Sequence, residues 1–168
     1  CIRKPGSSWN NSGNTMRKQP SIKLLCIIAI SCMLLTFNSY ATVRYVVSSG
    51  STPTAPYTSW ATAASDIQTA VNACSPGDEV HVSNGTYTVS SGSQVVQISS
   101  AITLKSANGP SVTIIDAGNV AGIRRGLYIT AASAGAVVEG FTISRGRADN
   151  DWGGGVKIEA GTIHNCVI

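Results

Sequence analysis

Apolar and polar residues alternate along this chain in short runs broken by glycine, serine and asparagine, and one stretch departs from that rhythm. From Ser65 to Cys74, the residues Ile67, Ala70, Val71 and Cys74 recur at the i, i+3, i+4, i+7 spacing of a helix with one buried face. Ser65-Asp66-Ile67-Gln68 opens this helix as a capping box. Ser65 is the expected cap, Gln68 reaches back to it, and Asp66 complements the positive end of the dipole. Pro76-Gly77 ends the helix. Glu79-Val80-His81-Val82-Ser83 then switches to period two, with Val80 and Val82 inward and Glu79, His81 and Ser83 outward.

Beyond Tyr87 the apolar runs are short and rich in β-branched residues. They include Val95 to Ile98, Ile102 to Leu104, Val112 to Ile115, Leu127 to Ile129, Phe141 to Ile143, Val156 to Ile158 and Ile163 to Ile168. Such runs between turn signals predict an all-β domain. Shifting the chain by 29 residues lays Val112-Thr113-Ile114 on Phe141-Thr142-Ile143 and Gly126-Leu127-Tyr128-Ile129 on Gly155-Val156-Lys157-Ile158. A shift of 25 lays Val138 to Ile143 on Ile163 to Ile168. Repeats of this length fit single rungs of a solenoid, whose inward side chains stack on their equivalents at about 4.8 Å. The first rung has no predecessor, so the helix Ser65 to Cys74 is expected to cap it. Cys166-Val167-Ile168 stops inside an apolar strand pattern, and further rungs are expected beyond it.

Charge changes the picture at the N-terminus. The chain carries a formal charge of +4. Arg3, Lys4, Arg17, Lys18 and Lys23 supply the excess, because from Thr42 onward seven basic side chains face eight acidic ones, a net of −1. No nucleic-acid partner is expected of so neutral a domain. Met16-Arg17-Lys18, the 14 largely apolar residues Leu24 to Phe37, and the small residues of Ser39-Tyr40-Ala41 form a secretory signal pattern over 16–41. The apolar run is short for a membrane span, which needs about 20 residues. Residues 1–15 read as a disordered or upstream leader. Residues 42–168 are then one secreted or cell-surface domain, expected to be a monomer with no membrane span. Its two cysteines, Cys74 and Cys166, read as small buried hydrophobes and not as a disulfide framework.

Tyr45-Val46-Val47-Ser48, Ser59-Trp60-Ala61-Thr62, Ile67 to Val71, and Ser75-Pro76-Gly77-Asp78-Glu79-Val80-His81-Val82 through Gly85-Thr86-Tyr87 resemble the N-terminal rungs of exported proteins of the pectin-lyase-like superfamily. The resemblance covers nearly all of 42–168. It implies a right-handed parallel β-helix with a short N-terminal capping helix, and a secreted module that binds or cleaves an acidic polysaccharide, a polysaccharide lyase or glycoside hydrolase in its full-length form, with this stretch by itself expected to be inactive. Lyases of that superfamily cleave uronic-acid polysaccharides with an Arg or Lys base, often with calcium held by acidic side chains. An adhesin-like, non-catalytic surface protein is the alternative.

The densest candidate chemistry is Arg145-Gly146-Arg147-Ala148-Asp149-Asn150-Asp151-Trp152. Arg145 and Arg147 are candidate contacts to an acidic polysaccharide, Trp152 a platform for a sugar ring, and Asp149 and Asp151 candidate calcium ligands. The competing reading is a solvated turn between Ile143 and Val156. The 29-residue shift also sets Asp116 opposite Arg145, which predicts an ion pair that would make Arg145 structural. Arg124-Arg125, before Leu127, reads as a solubilising turn in preference to part of a polyanion-binding edge. His81 and His164 have no acid, serine or cysteine at a spacing that suggests a triad or metal site. Asn84-Gly85-Thr86 reads as a turn.

Overall fold

The computed structural model describes residues 40–119 and 121–168. The leader over 1–15 and the signal segment before Tyr40 lie outside them. Among the described residues, strands carry the fold. The helical elements are a 3-10 turn, Trp60–Thr62, and one six-residue helix, α1 (Ile67–Asn72). No helix among them is long and apolar enough to cross a membrane.

The strands sort into three main sets. β1 (Val43–Val46), β2 (Glu79–Val82), β5 (Thr103–Ser106), β8 (Val137–Glu139) and β12 (Thr162–His164) form a five-stranded parallel sheet in that order. β3 (Gly85–Tyr87), β6 (Thr113–Asp116) and β9 (Thr142–Ser144) form a second parallel sheet. β4 (Gln94–Ile98), β7 (Ile123–Ile129) and β11 (Val156–Ile158) form a third, with β7 central. The inward rows Val80, Leu104, Val138 and Val96, Leu127 meet Ile115, Phe141 and Ile143 in one apolar core, each 3% exposed or less.

The register corrects one part of the repeat. β11 pairs with β7 at a shift of 29, and β12 with β8 at a shift of 25, as the sequence implies. β9 pairs with β6 at 28, setting Ile115 beside Ile143. Side chains alternate with period two, so a shift of 29 would have put buried Ile143 against outward Ile114 and buried Phe141 against exposed Val112. The extra residue lies in the connection from β9 to β11.

The helix also starts later than its sequence suggests. Asp66, not Ser65, is the N-cap, and its carboxylate accepts from Thr69 N (2.7 Å) and Thr69 Oγ1 (2.8 Å). Ile67, Ala70 and Val71 enter the core, while Cys74 lies beyond the helix and is half-buried. Gln68 is thereby free to leave the capping box. Its Oε1 accepts from Gln97 N at 2.6 Å and its Nε2 donates to Gln97 O at 3.1 Å. The amide thus stands in for a neighbouring strand along the outer edge of β4.

Past Gly77, Asp78 is buried and works as a hub. It accepts from Thr42 N (2.8 Å), Ser75 N (2.7 Å) and the buried Arg44 guanidinium (2.5 Å). Burial pushes this carboxyl up, but the two backbone N–H groups and Arg44 outweigh burial and hold it below its ordinary value. Arg44 occupies an inward position of β1, between the outward Val43 and Tyr45. That pairing anchors the first strand to the turn after α1. Both cysteines are free, and burial pushes the Cys74 thiol up, which disfavours the reactive thiolate.

Candidate functional site

The connection from β9 to β11 carries the residues singled out by their chemistry, and it is not a loose turn. Arg145 leaves β9 with φ 55°, which bends the backbone so that its guanidinium returns to Asp116. Nε donates to Asp116 Oδ1 at 2.7 Å, and Nη2 to Oδ2. This is the ion pair expected from the repeat, reached although the register there is one residue shorter. The paired guanidinium, then burial working against it, leave Asp116 below its ordinary value, and Asp116 in turn raises Arg145.

Next, β10 (Arg147–Ala148) folds back antiparallel onto the start of β7, with Arg147 opposite Arg124 and Ala148 opposite Ile123. Arg147 Nε donates to Asp149 Oδ1 at 2.5 Å, and Asp149 Oδ2 accepts from Gly122 N at 2.9 Å. Those two bonds, Arg147 first, depress the Asp149 carboxyl. Asp151 caps the N–H of Trp152 (2.7 Å) and takes the buried Arg125 guanidinium at 2.5 Å. Arg125 also donates to Trp152 O at 3.1 Å. Asp151 is held down by the Trp152 N–H and then by Arg125.

Arg124 and Arg125, expected to be solubilising, are therefore ties. Arg124 donates to the carbonyls of Val89 (3.1 Å), Ser90 (3.4 Å) and Gly92 (3.3 Å), while Arg125 is only 5% exposed. Strand alternation is the signal that could have separated them, because successive residues must face opposite sides.

Asn150 (φ 62°) and Gly153 (φ 71°) bracket the tip in left-handed conformations, and Trp152 stands 87% exposed between them. Asn150, Asp151 and Trp152 line an open cleft of about 330 Å³. The structure brings Arg147 to Asp149 and ties Asp151 and Trp152 to Arg125, whereas Arg145 is turned away to Asp116. Calcium does not fit this donor set: Asp149 and Asp151 are committed to N–H donors of different partners, while the ion takes six to eight oxygens. Among the described residues, no three His, Cys, Asp or Glu side chains are grouped to hold a metal.

Two further clusters lie outside this connection. His81 Nε2 lies 2.9 Å from Glu79 Oε2, two residues along the same strand face, so His81 does have an acidic neighbour. Lys157 Nζ lies 5.4 Å from the Tyr128 ring centroid and 3.5 Å from Glu159 Oε1. Glu159, mainly by hydrogen bonding, raises the Tyr128 phenol. The β7–β11 register sets Tyr128 beside Lys157, as the shift of 29 implies. No protein-family model, curated protein or solved structure matches the chain.

Proposed function

We propose that this chain is the capped beginning of a right-handed parallel β-helix, exported from the cell, which binds an acidic polysaccharide through the connection from β9 to β11 without cleaving it. In support of the solenoid, each of the three parallel sheets pairs strands that recur every 24 to 36 residues, and α1 lies against the first of them. The hand follows from the strong right-handed preference of parallel crossovers. The resemblance of Tyr45 to Tyr87 to the pectin-lyase-like superfamily points the same way.

The single observation that carries the binding role is Trp152. An indole 87% exposed normally costs apolar burial, yet its backbone is held on both sides by Asp151 and Arg125. An exposed ring on an anchored backbone, beside an open cleft, suits stacking on the face of a sugar. The same connection carries Arg147 and Arg145, whose side chains are 46% and 61% exposed while each pairs with a carboxylate. Binding is favoured over lyase chemistry because a base must be able to lose its proton near working pH, and Asp116 moves Arg145 in the opposite direction.

The test is affinity electrophoresis in gels containing polygalacturonate, alginate or dextran. Retardation by the two uronates and its loss in Trp152→Ala are expected, with no rise in unsaturated uronate absorbance. Equal mobility in all three gels, or an unaltered Trp152→Ala, overturns the reading.

A further inference from the structure

A second cleft, of about 340 Å³, lies between α1 and β4, away from Trp152, and its lining bears no charge. Gln68 and Asn72 line it from the helix, one turn apart; Ser93, Gln94, Gln97 and Ser99 line it from the strand side. Gln94 and Gln97 reach the same side because β4 breaks its alternation at Val95 and Val96, both of which are buried.

The amides in this cleft fix one another. Gln68 Nε2 donates to Asn72 Oδ1 at 2.8 Å and to Gln97 O, Gln68 Oε1 accepts from Gln97 N, and Gln94 Nε2 donates to Gln97 Oε1 at 2.5 Å. These bonds set the orientation of each amide plane. Asn72 Nδ2, Gln94 Oε1 and Gln97 Nε2 take part in none of them, and the hydroxyls of Ser93 and Ser99 border the same space. Residues lining the cleft therefore carry two amide donors, an amide acceptor and two hydroxyls that none of these bonds uses.

We infer that this cleft is a binding site for a neutral sugar. Each sugar hydroxyl both donates and accepts, as do an amide and a serine hydroxyl, so neighbouring hydroxyls can be met by Asn72, Gln94 and Gln97 together. The volume is at the small end of ligand pockets, room for about one or two sugar rings. Arg124, at the border of the cleft, is committed to the carbonyls of Val89, Ser90 and Gly92, so a uronate meets no lining cation and loses part of its hydration, and the site favours a neutral ring. Because the amides are already oriented by one another, binding orders little further side-chain freedom. The absence of an aromatic platform in the lining keeps affinity weak, with a dissociation constant on the order of 1 mM. This site does not depend on the role proposed for Trp152.

The test is a titration of the isotope-labelled protein with methyl hexopyranosides and neutral tetrasaccharides of glucose, galactose and mannose, and in parallel with methyl galacturonoside and its tetrasaccharide. Side-chain amide resonances of Asn72, Gln94 and Gln97 are followed by NMR. At least one neutral series is expected to shift them saturably, and the uronates are not. Asn72→Ala combined with Ser99→Ala is expected to weaken binding about tenfold or more, and since alanine favours the helix at position 72 the fold should persist, as the remaining spectrum reports. Trp152→Ala should abolish uronate retardation yet leave these shifts intact, so the two readings fail separately. Amides unmoved by every neutral sugar, equal shifts with the uronates, or undiminished binding by the folded double variant would each overturn the inference.

Discussion

Replacing Gln68 tests the idea that a single side chain closes the outer edge of β4. Gln68→Met keeps the length and apolar stem of the side chain while deleting its bonds to Gln97 N (2.6 Å) and Gln97 O (3.1 Å). A hydrogen bond contributes about 0.5–1.5 kcal/mol net. Gln97 is half-buried, so water can partly replace the lost partner and the lower half of that range applies, giving about 1–2 kcal/mol for the pair. For a domain of this size that corresponds to a fall in Tm of roughly 4–8 °C. Gln68→Glu divides the effect: its carboxylate still accepts from Gln97 N, but it has no donor for the carbonyl, so a loss of about half or more is expected. The exposed edge should also pair with other copies. Urea denaturation gives the stability and size-exclusion chromatography across a concentration series gives the association. If Gln68→Met matched the native protein within about 0.3 kcal/mol and stayed monomeric, the edge-closing role would be wrong.

Gly126→Ala tests the packing beneath β7. A Cβ there would collide with Ile143 Cγ2 and stand 3.2 Å from the Gly155 carbonyl oxygen, so a destabilisation of about 1–3 kcal/mol is expected from overpacking. Denaturation unchanged within error would refute that packing. Acid should weaken the fold through its depressed carboxyls, Asp78 and Asp116 foremost. Their folded values lie below the unfolded one, so the stabilisation is complete above about pH 4 to 5 and is lost as pH falls through the folded values. Asp116→Asn should lower stability at neutral pH and flatten the acid limb measured by urea titration. An acid limb as steep as the native one would show that Asp116 does not contribute.

Much of the architecture was legible because it depends on local alternation. Val80 and Val82 inward, Glu79 and His81 outward, and the pairing of β7 with β11 follow from period two and a repeated pattern. Asp116 and Arg145 could be matched across 29 residues because one ends β6 and the other immediately follows the equivalent strand β9. The helix cap was misplaced because Ser65 and Asp66 are both good caps, and what drew Gln68 away was a strand edge 29 residues later. Arg124 and Arg125 look identical in sequence, yet one ties down the loop from Val89 to Gly92 and the other is buried against Asp151.

Side-chain period and backbone preference act within a few residues, so the order of amino acids was enough to say which residues face inward, where a helix interrupts the strands and where candidate chemistry concentrates. What each polar group meets was settled only in the folded chain. Register turned the arginines near Trp152 into partners of particular carboxylates, left that indole in solvent, and gathered the amides of Gln68, Asn72, Gln94 and Gln97 into one uncharged cleft. Hydrogen bonds and ion pairs act over a few ångströms of space, and neighbours at that range are set by strand pairing across 24 to 36 residues, which the local pattern does not specify.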